Sequence, residues 1–198
     1  MLSKIRPNGW ILSTVFGLGL IASSAHLSPS VATYLMQHRA PAAHATLDRA
    51  VITASHFIAR HYRIPAPRAR RITKVAFQVS RKHRVDPYLV LAVIAVESSF
   101  RPYVVNRRGG AYGLMQIVPR VHRKRVEAEG GLKRLSLILP NIRIGVLILV
   151  EYGVRSRERL RHALWRYSGG EEGYARRVLQ VREALANVAR ASEFDTAG

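Results

Sequence analysis

Glu97 closes a run of eight apolar residues, Leu89 to Val96, and is followed by Ser98. A carboxyl carried on such a run arrives at the edge of a core, where burial penalises its charged form and lifts its pKa toward the working pH of a general acid. A group tuned in this way can give up a proton near neutrality. The same position also allows Glu97 to turn outward into water, so its neighbourhood has to decide. Ser98 can hydrogen-bond the carboxylate or cap the helix end. Further on, Ala111-Tyr-Gly-Leu-Met-Gln-Ile supplies Gly113, which permits close backbone approach, and Gln116, which offers a donor and an acceptor to a sugar or peptide amide. By itself that segment also reads as a tight turn, with Met115 in the core.

The elements that must position these groups are helical. Asp86-Pro87 opens a helix, with Asp as N-cap and Pro at the first helical position, and the unbroken apolar run means that this helix is buried nearly all round. A helix precedes it from about Ile72 to His83, and a basic one is expected around Val121 to Glu129. Pro140-Asn141 starts another that runs through Tyr152. Two more are expected over Ser156–Tyr167 and from about Glu171 to Ala191, parted by Ser168-Gly169-Gly170. Pro102 and Gly109-Gly110 mark a loop, and no stretch alternates convincingly as a strand. The fold class is therefore read as all-α, a compact bundle of about six short helices.

Ahead of this bundle, Lys4 and Arg6 precede an apolar stretch from Trp10 to Ala22 and the small residues Ser23-Ser24-Ala25. Residues 1–25 read as a secretory signal peptide, with an uncleaved anchor as the alternative. Residues 26–45, rich in Ala, His, Ser and Pro without sustained periodicity, read as a linker. Leu47, Ala50, Val51, Ala54, Phe57 and Ile58 then recur three and four apart, the pattern of an amphipathic helix over 46–62, and Ile64-Pro-Ala-Pro-Arg breaks it. Residues 46–71 are this helix and its connector, residues 72–191 the catalytic domain, and residues 192–198 a tail.

The 198 residues carry 32 Lys and Arg against 12 Asp and Glu, a formal charge of +20. Such a field implies a polyanionic partner: nucleic acid, acidic lipid headgroups or envelope polymers. Export, together with the lack of recognisable nucleic-acid motifs, sets nucleic acid aside. With no cysteine there is neither a disulfide nor a thiolate nucleophile. His83, His122 and His162 have no metal-ligand spacing, so no metal and no cofactor are expected. Arg155, Arg157, Arg159, Arg161 and Arg166 form a solvated face or a surface that holds the protein on an anionic wall.

Taken in order, Glu97-Ser98, Ala111-x-Gly113-Leu114-Met115-Gln116, Asn141-Ile142-x-x-Gly145 and Tyr167-Ser-Gly-Gly170 resemble the motifs of the lytic transglycosylase (SLT-domain) family, relatives of goose-type lysozyme. The resemblance spans roughly Ile72 to Ala186. It implies a lysozyme-like α fold and a groove for peptidoglycan glycan strands, cut at the β-1,4 bond between N-acetylmuramic acid and N-acetylglucosamine. It also implies that Glu97 acts as acid and then as base, so that the muramic 6-hydroxyl closes on the anomeric carbon and leaves a 1,6-anhydro end. This is a carbon–oxygen lyase and needs no second carboxylate, unlike most glycosidases. By the same resemblance Gln116 and Tyr167 line the groove near the scissile bond and Asn106 matches the polar residue nine places after the acid; Ser98 and Met115 complete the substrate-binding set. Read without it, Tyr167 is a packing residue, Asn106 a turn residue and Met115 core.

Asp86 reads as a cap, and Glu151 and Glu171 are the carboxylates that could still stand near Glu97. The chain departs from the family pattern at Ser168-Gly169 and at Val118, and substrate preference is expected to differ accordingly. The protein is expected to act as a monomer, exported to the periplasm or envelope, with the anionic envelope surface as a further partner. Two other readings stand beside this one: a hydrolytic goose-type lysozyme, and a non-catalytic cationic envelope-binding protein of the same fold.

Overall fold

The Asp86-Pro87 signal produces the helix it predicts. In the structure, a computed structural model that describes residues 29–194, the Asp86 carboxylate accepts a hydrogen bond from the Tyr88 amide at 2.9 Å and α3 (Pro87–Ser98) follows. Residues Leu89 to Ala95 are all buried, so α3 is the central rod of the core. It ends at Ser99, whose left-handed conformation (φ 49°) returns its amide to the Ala95 carbonyl. Phe100 also has positive φ, 61°, and is fully buried.

Two units partition the chain: Met1–Ala40, of which residues 29–40 are described and are helical, and Pro41–Gly198. The expected signal segment and residues 26–28 of the expected linker lie outside the described residues. Helix occupies the rest of that linker, because α1 runs from Pro29 to His61. Ala32, Ala40, Ala42, Ala43 and Ala45 favour helix intrinsically, and a search for an apolar periodicity does not register that preference. The apolar stripe expected over 46–62 is real: Val51, Ala54 and Ile58 belong to the main core. From Pro41 onward α1 thus belongs to the folded body of the second unit, and Tyr62, the residue after it, reaches the α3 turn, where its ring meets the Phe100 ring edge-on at 4.7 Å.

α2 (Ala66–His83) packs on α3 and on α5 (Ile138–Glu151), α7 (Tyr174–Phe194) packs along α3, and α6 (Leu160–Tyr167) packs on α7. α4 (Arg123–Ala128) and a 3-10 turn (Leu132–Ser136) connect the loop region to α5. From α3 onward the observed helices begin and end within four residues of the expected ones, with α7 continuing to Phe194 through the start of the expected tail, whereas α2 begins at Ala66, six residues before the expected Ile72 and inside the expected connector, because Pro67 sits in its first turn, where proline is tolerated. The architecture is all-α, as the sequence predicts. A minimal hairpin departs from the expectation of no strand: β1 (Val105–Asn106) pairs antiparallel with β2 (Ala111–Tyr112), Val105 opposite Tyr112 and Asn106 opposite Ala111. Strands of two residues leave no period to detect. Among the described residues no helix is long and apolar enough to cross a membrane.

Candidate active site

Glu97 lies one residue from the end of α3, just before two successive non-glycine residues with positive φ, Ser99 and Phe100. Such backbone costs free energy and persists only where the surroundings hold it, here the buried Phe100 ring against Tyr62 and the Ser98 side chain. The Ser98 hydroxyl bridges the Ile94 carbonyl of its own helix (3.1 Å) and the Leu114 carbonyl of the following loop (2.8 Å).

That loop is fixed a second time by Asn141, fully buried on α5. Its Oδ1 accepts from the Met115 amide at 2.8 Å, while its Nδ2 donates to the carbonyls of Tyr112 (2.9 Å) and Leu135 (2.8 Å). Gly113 is required at its place, since its φ is +78° and a β-carbon there would stand 2.2 Å from the Leu135 carbonyl and 2.4 Å from Asn141 Nδ2. Gly145 makes room for the Met115 side chain, whose sulfur would lie 2.3 Å from an added β-carbon. These contacts tie the motif residues together: Asn141 and Gly145 on α5 clamp the segment that presents Gln116.

The Glu97 carboxyl faces an open cleft of about 450 Å³. The cleft is also lined by Asn106 of the hairpin, by Gln116 and Val118, by Arg120 and His122, and by Tyr152, Arg166 and Tyr167 at the ends of α5 and α6. Glu171, Tyr174 and Arg177 complete it. Of the expected site residues, Glu97, Asn106, Gln116 and Tyr167 therefore meet at one cleft. Ser98 and Met115 do not, and their assignment to substrate binding is corrected. One residue further round the helix than Glu97, Ser98 points into the core and spends its hydroxyl on backbone, while Met115 is fully buried against Gly145. Gln116, at φ 45°, donates through Nε2 to the carbonyls of Gly113 (2.9 Å) and Val104 (3.2 Å), leaving its side-chain carbonyl as the group with acceptor capacity to spare. Asn106 accepts from the Gly109 amide at 3.1 Å, the turn role, and still borders the cleft. The Tyr167 hydroxyl donates to the Met115 carbonyl at 2.8 Å, so it braces the loop as well as lining the cleft.

Tyr174 is the cleft residue that the sequence reading missed. Its hydroxyl donates to the Glu97 carboxylate at 2.6 Å, seventy-seven residues away in the chain, and only the packing of α7 along α3 brings them together. Burial lifts the Glu97 carboxyl from its ordinary 4.5 to about 7; Glu171 pushes the same way, and the Tyr174 hydrogen bond and Arg177 pull against it. Burial, reinforced by the Glu97 charge, raises the Tyr174 phenol, which therefore keeps its proton through the neutral range. Glu171 is the one other carboxylate in the cleft lining, and it is held by Arg177 at 2.6 Å. Glu151 is paired with Arg125 and lies outside the cleft lining. Arg166 stacks over the Tyr152 ring at 4.3 Å, and with Arg120 and Arg177 it leaves the cleft with more cations than carboxylates. Val118 and Ser168-Gly169, where the chain departs from the family pattern, are all on the cleft wall.

A half-buried carboxyl with a pKa near neutrality, hydrogen-bonded by a permanent donor and open to a polar cleft, can give a proton and take one back. A family model described as "Transglycosylase SLT domain" matches residues 74–188. Among curated proteins, "Membrane-bound lytic murein transglycosylase C" of Mannheimia succiniciproducens is 34% identical over 106 residues, covering 53% of this chain and 29% of that protein. The protein of the same name from Glaesserella parasuis is 32% identical over 114 residues, 57% of this chain and 30% of that protein. That from Actinobacillus pleuropneumoniae is 33% identical over 101 residues, 50% and 27% respectively. The matched region thus spans less than a third of these relatives' length. No solved structure matches the chain.

Proposed function

Because this chain belongs to the transglycosylase SLT-domain family, we propose that it is a peptidoglycan lytic transglycosylase and that Glu97 is its acid and base. The observation that carries this reading is the Glu97 carboxyl, raised to about 7 by burial and hydrogen-bonded by Tyr174 at the cleft. In the first step protonated Glu97 gives its proton to the glycosidic oxygen, and the bond between that oxygen and the anomeric carbon of N-acetylmuramic acid breaks. The leaving N-acetylglucosamine takes the proton with it. Glu97, now a carboxylate, accepts the proton of the muramic 6-hydroxyl while that oxygen bonds to the anomeric carbon, which closes the 1,6-anhydro ring and restores the acid. No water enters, and the two transfers return Glu97 to its starting state.

Tyr174 serves both halves: its hydrogen bond stabilises the carboxylate that exists between them, and without it the acid would be weaker still. The Gln116 carbonyl and Asn106, both in the cleft lining, would receive hydrogen bonds from sugar hydroxyls and acetamido N–H groups. Arg120 and Arg166 would meet the carboxylates of lactyl and peptide substituents. Polar contacts of this kind fix register.

Hydrolysis is the second reading, and one observation bears on it: Glu171 is in the cleft and could activate a water if it were free. Its ion pair with Arg177 occupies it, which favours the route without water. Mass spectrometry of muropeptides released from purified wall separates the two. Products lighter by one water and lacking a reducing end are expected, and reducing ends would overturn the transglycosylase assignment.

A further inference from the structure

Among the described residues eight large apolar side chains are exposed, and five of them, Tyr103, Val105, Leu132, Leu137 and Leu139, gather around two adjoining hollows that share Pro102, Tyr103 and Ser136. Tyr103 projects furthest, with 73% of its surface free. A monomeric protein rarely leaves so many large apolar groups together without a use for them. Arg68, Arg71, Lys133 and Arg134 line the same hollows, none of them in an ion pair among the described residues, and no carboxylate is present in either lining.

We propose that this face docks on an anionic phospholipid bilayer, with Tyr103, Leu132, Leu137 and Leu139 entering the boundary between headgroups and acyl chains while Arg68, Arg71, Lys133 and Arg134 pair with lipid phosphates. Apolar groups framed by cations alone are the composition of an interfacial surface, and each Lys or Arg near an anionic leaflet adds to the attraction. A protein partner fits less well. Protein interfaces carry roughly one hydrogen bond per 100–200 Å² from mixed donors and acceptors, whereas here the Ser136 hydroxyl is already spent on the Lys133 carbonyl and no side-chain carboxylate or amide is offered. The docking is independent of the chemistry proposed for Glu97, which lines a different cleft.

The chain has no cysteine, so a single introduced one can be labelled without ambiguity. Full-length Leu132→Cys and Leu137→Cys, each carrying an environment-sensitive fluorophore, are mixed with vesicles of phosphatidylglycerol and phosphatidylcholine that hold a quencher in their acyl region. Arg157→Cys, exposed beyond this face, is the control. The expected result is a blue shift and strong quenching at 132 and 137, little change at 157, and neither response with pure phosphatidylcholine. Equal responses at all three positions, or silence at 132 and 137 on vesicles that sediment with the protein, would overturn the proposal. Leu132→Ser/Leu137→Ser/Leu139→Ser should lower the vesicle partition coefficient about tenfold while leaving wall cleavage in solution intact. An unchanged coefficient counts against the face.

Discussion

Replacing Tyr174 by Phe removes a single hydroxyl, the one that donates to the Glu97 carboxylate at 2.6 Å. A hydrogen bond to a charged group is worth about 1.5–3 kcal/mol net, and one pKa unit corresponds to about 1.4 kcal/mol. The protonated carboxyl keeps part of the interaction, so a rise of about one unit is expected, from about 7 to about 8. The direction follows from what is lost: the donor favours the charged form, and without it the proton is held more tightly. Proton donation needs protonated Glu97 in the free enzyme, so kcat/KM should fall with rising pH near 7 in the wild type and near 8 in Tyr174→Phe. At pH 8 the variant then keeps about five times the protonated fraction of the wild type. Initial rates of muropeptide release from purified wall, taken across pH 5 to 9, read the limb directly. A limb that stays in place, or moves to lower pH, would refute both the assignment of Glu97 as the titrating acid and the role of Tyr174 as its donor.

Three other outcomes follow from the same contacts. The folded-state pKa of Glu97 lies above its unfolded value, so the folded state binds the extra proton, and the associated stability is full below about pH 4.5 and lost as pH rises through about 7. Glu97→Gln should therefore match the wild-type Tm in acid and exceed it at pH 8, by a ceiling of about 3 kcal/mol in denaturant titrations; an equal Tm difference at all pH values would contradict it. Asn141→Ala strips the Met115 amide and two carbonyls of buried partners and should cost about 3 kcal/mol or more, seen as a Tm lower by about 10 °C. Asp86→Ala should cost about 1 kcal/mol through its cap, whereas Arg182→Ala, which breaks only the exposed pair with Asp86, should change stability by about 0.5 kcal/mol or less.

The parts of the site that were legible in the sequence are those set by local chemistry. Asp86-Pro87 and the run to Val96 specify a buried helix, and a carboxyl at its end follows from counting. Gly113, Asn141 and Gly145 were marked by the resemblance to the family's motifs, not by local chemistry, and the structure gives them a common purpose in clamping the loop that carries Gln116. Long-range packing was not legible. Tyr174 follows a glycine-rich turn with nothing nearby to mark it, and it reaches Glu97 only because α7 lies along α3. Ser98 and Met115 were placed in the cleft because they flank residues that are there, although adjacent positions on a helix or tight loop point in different directions. The role of α1 was hidden for the same reason, since its contact with the turn after Glu97 joins Tyr62 to Phe100 across thirty-eight positions.

The central claim is that one half-buried carboxyl performs both proton transfers, and in-gel clearing of peptidoglycan by wild type and Glu97→Gln tests it most directly. The variant keeps the shape of the side chain but cannot give up a proton. With an unchanged circular dichroism spectrum, it should clear wall at least about a hundredfold more slowly. Clearing at the wild-type rate would contradict the account.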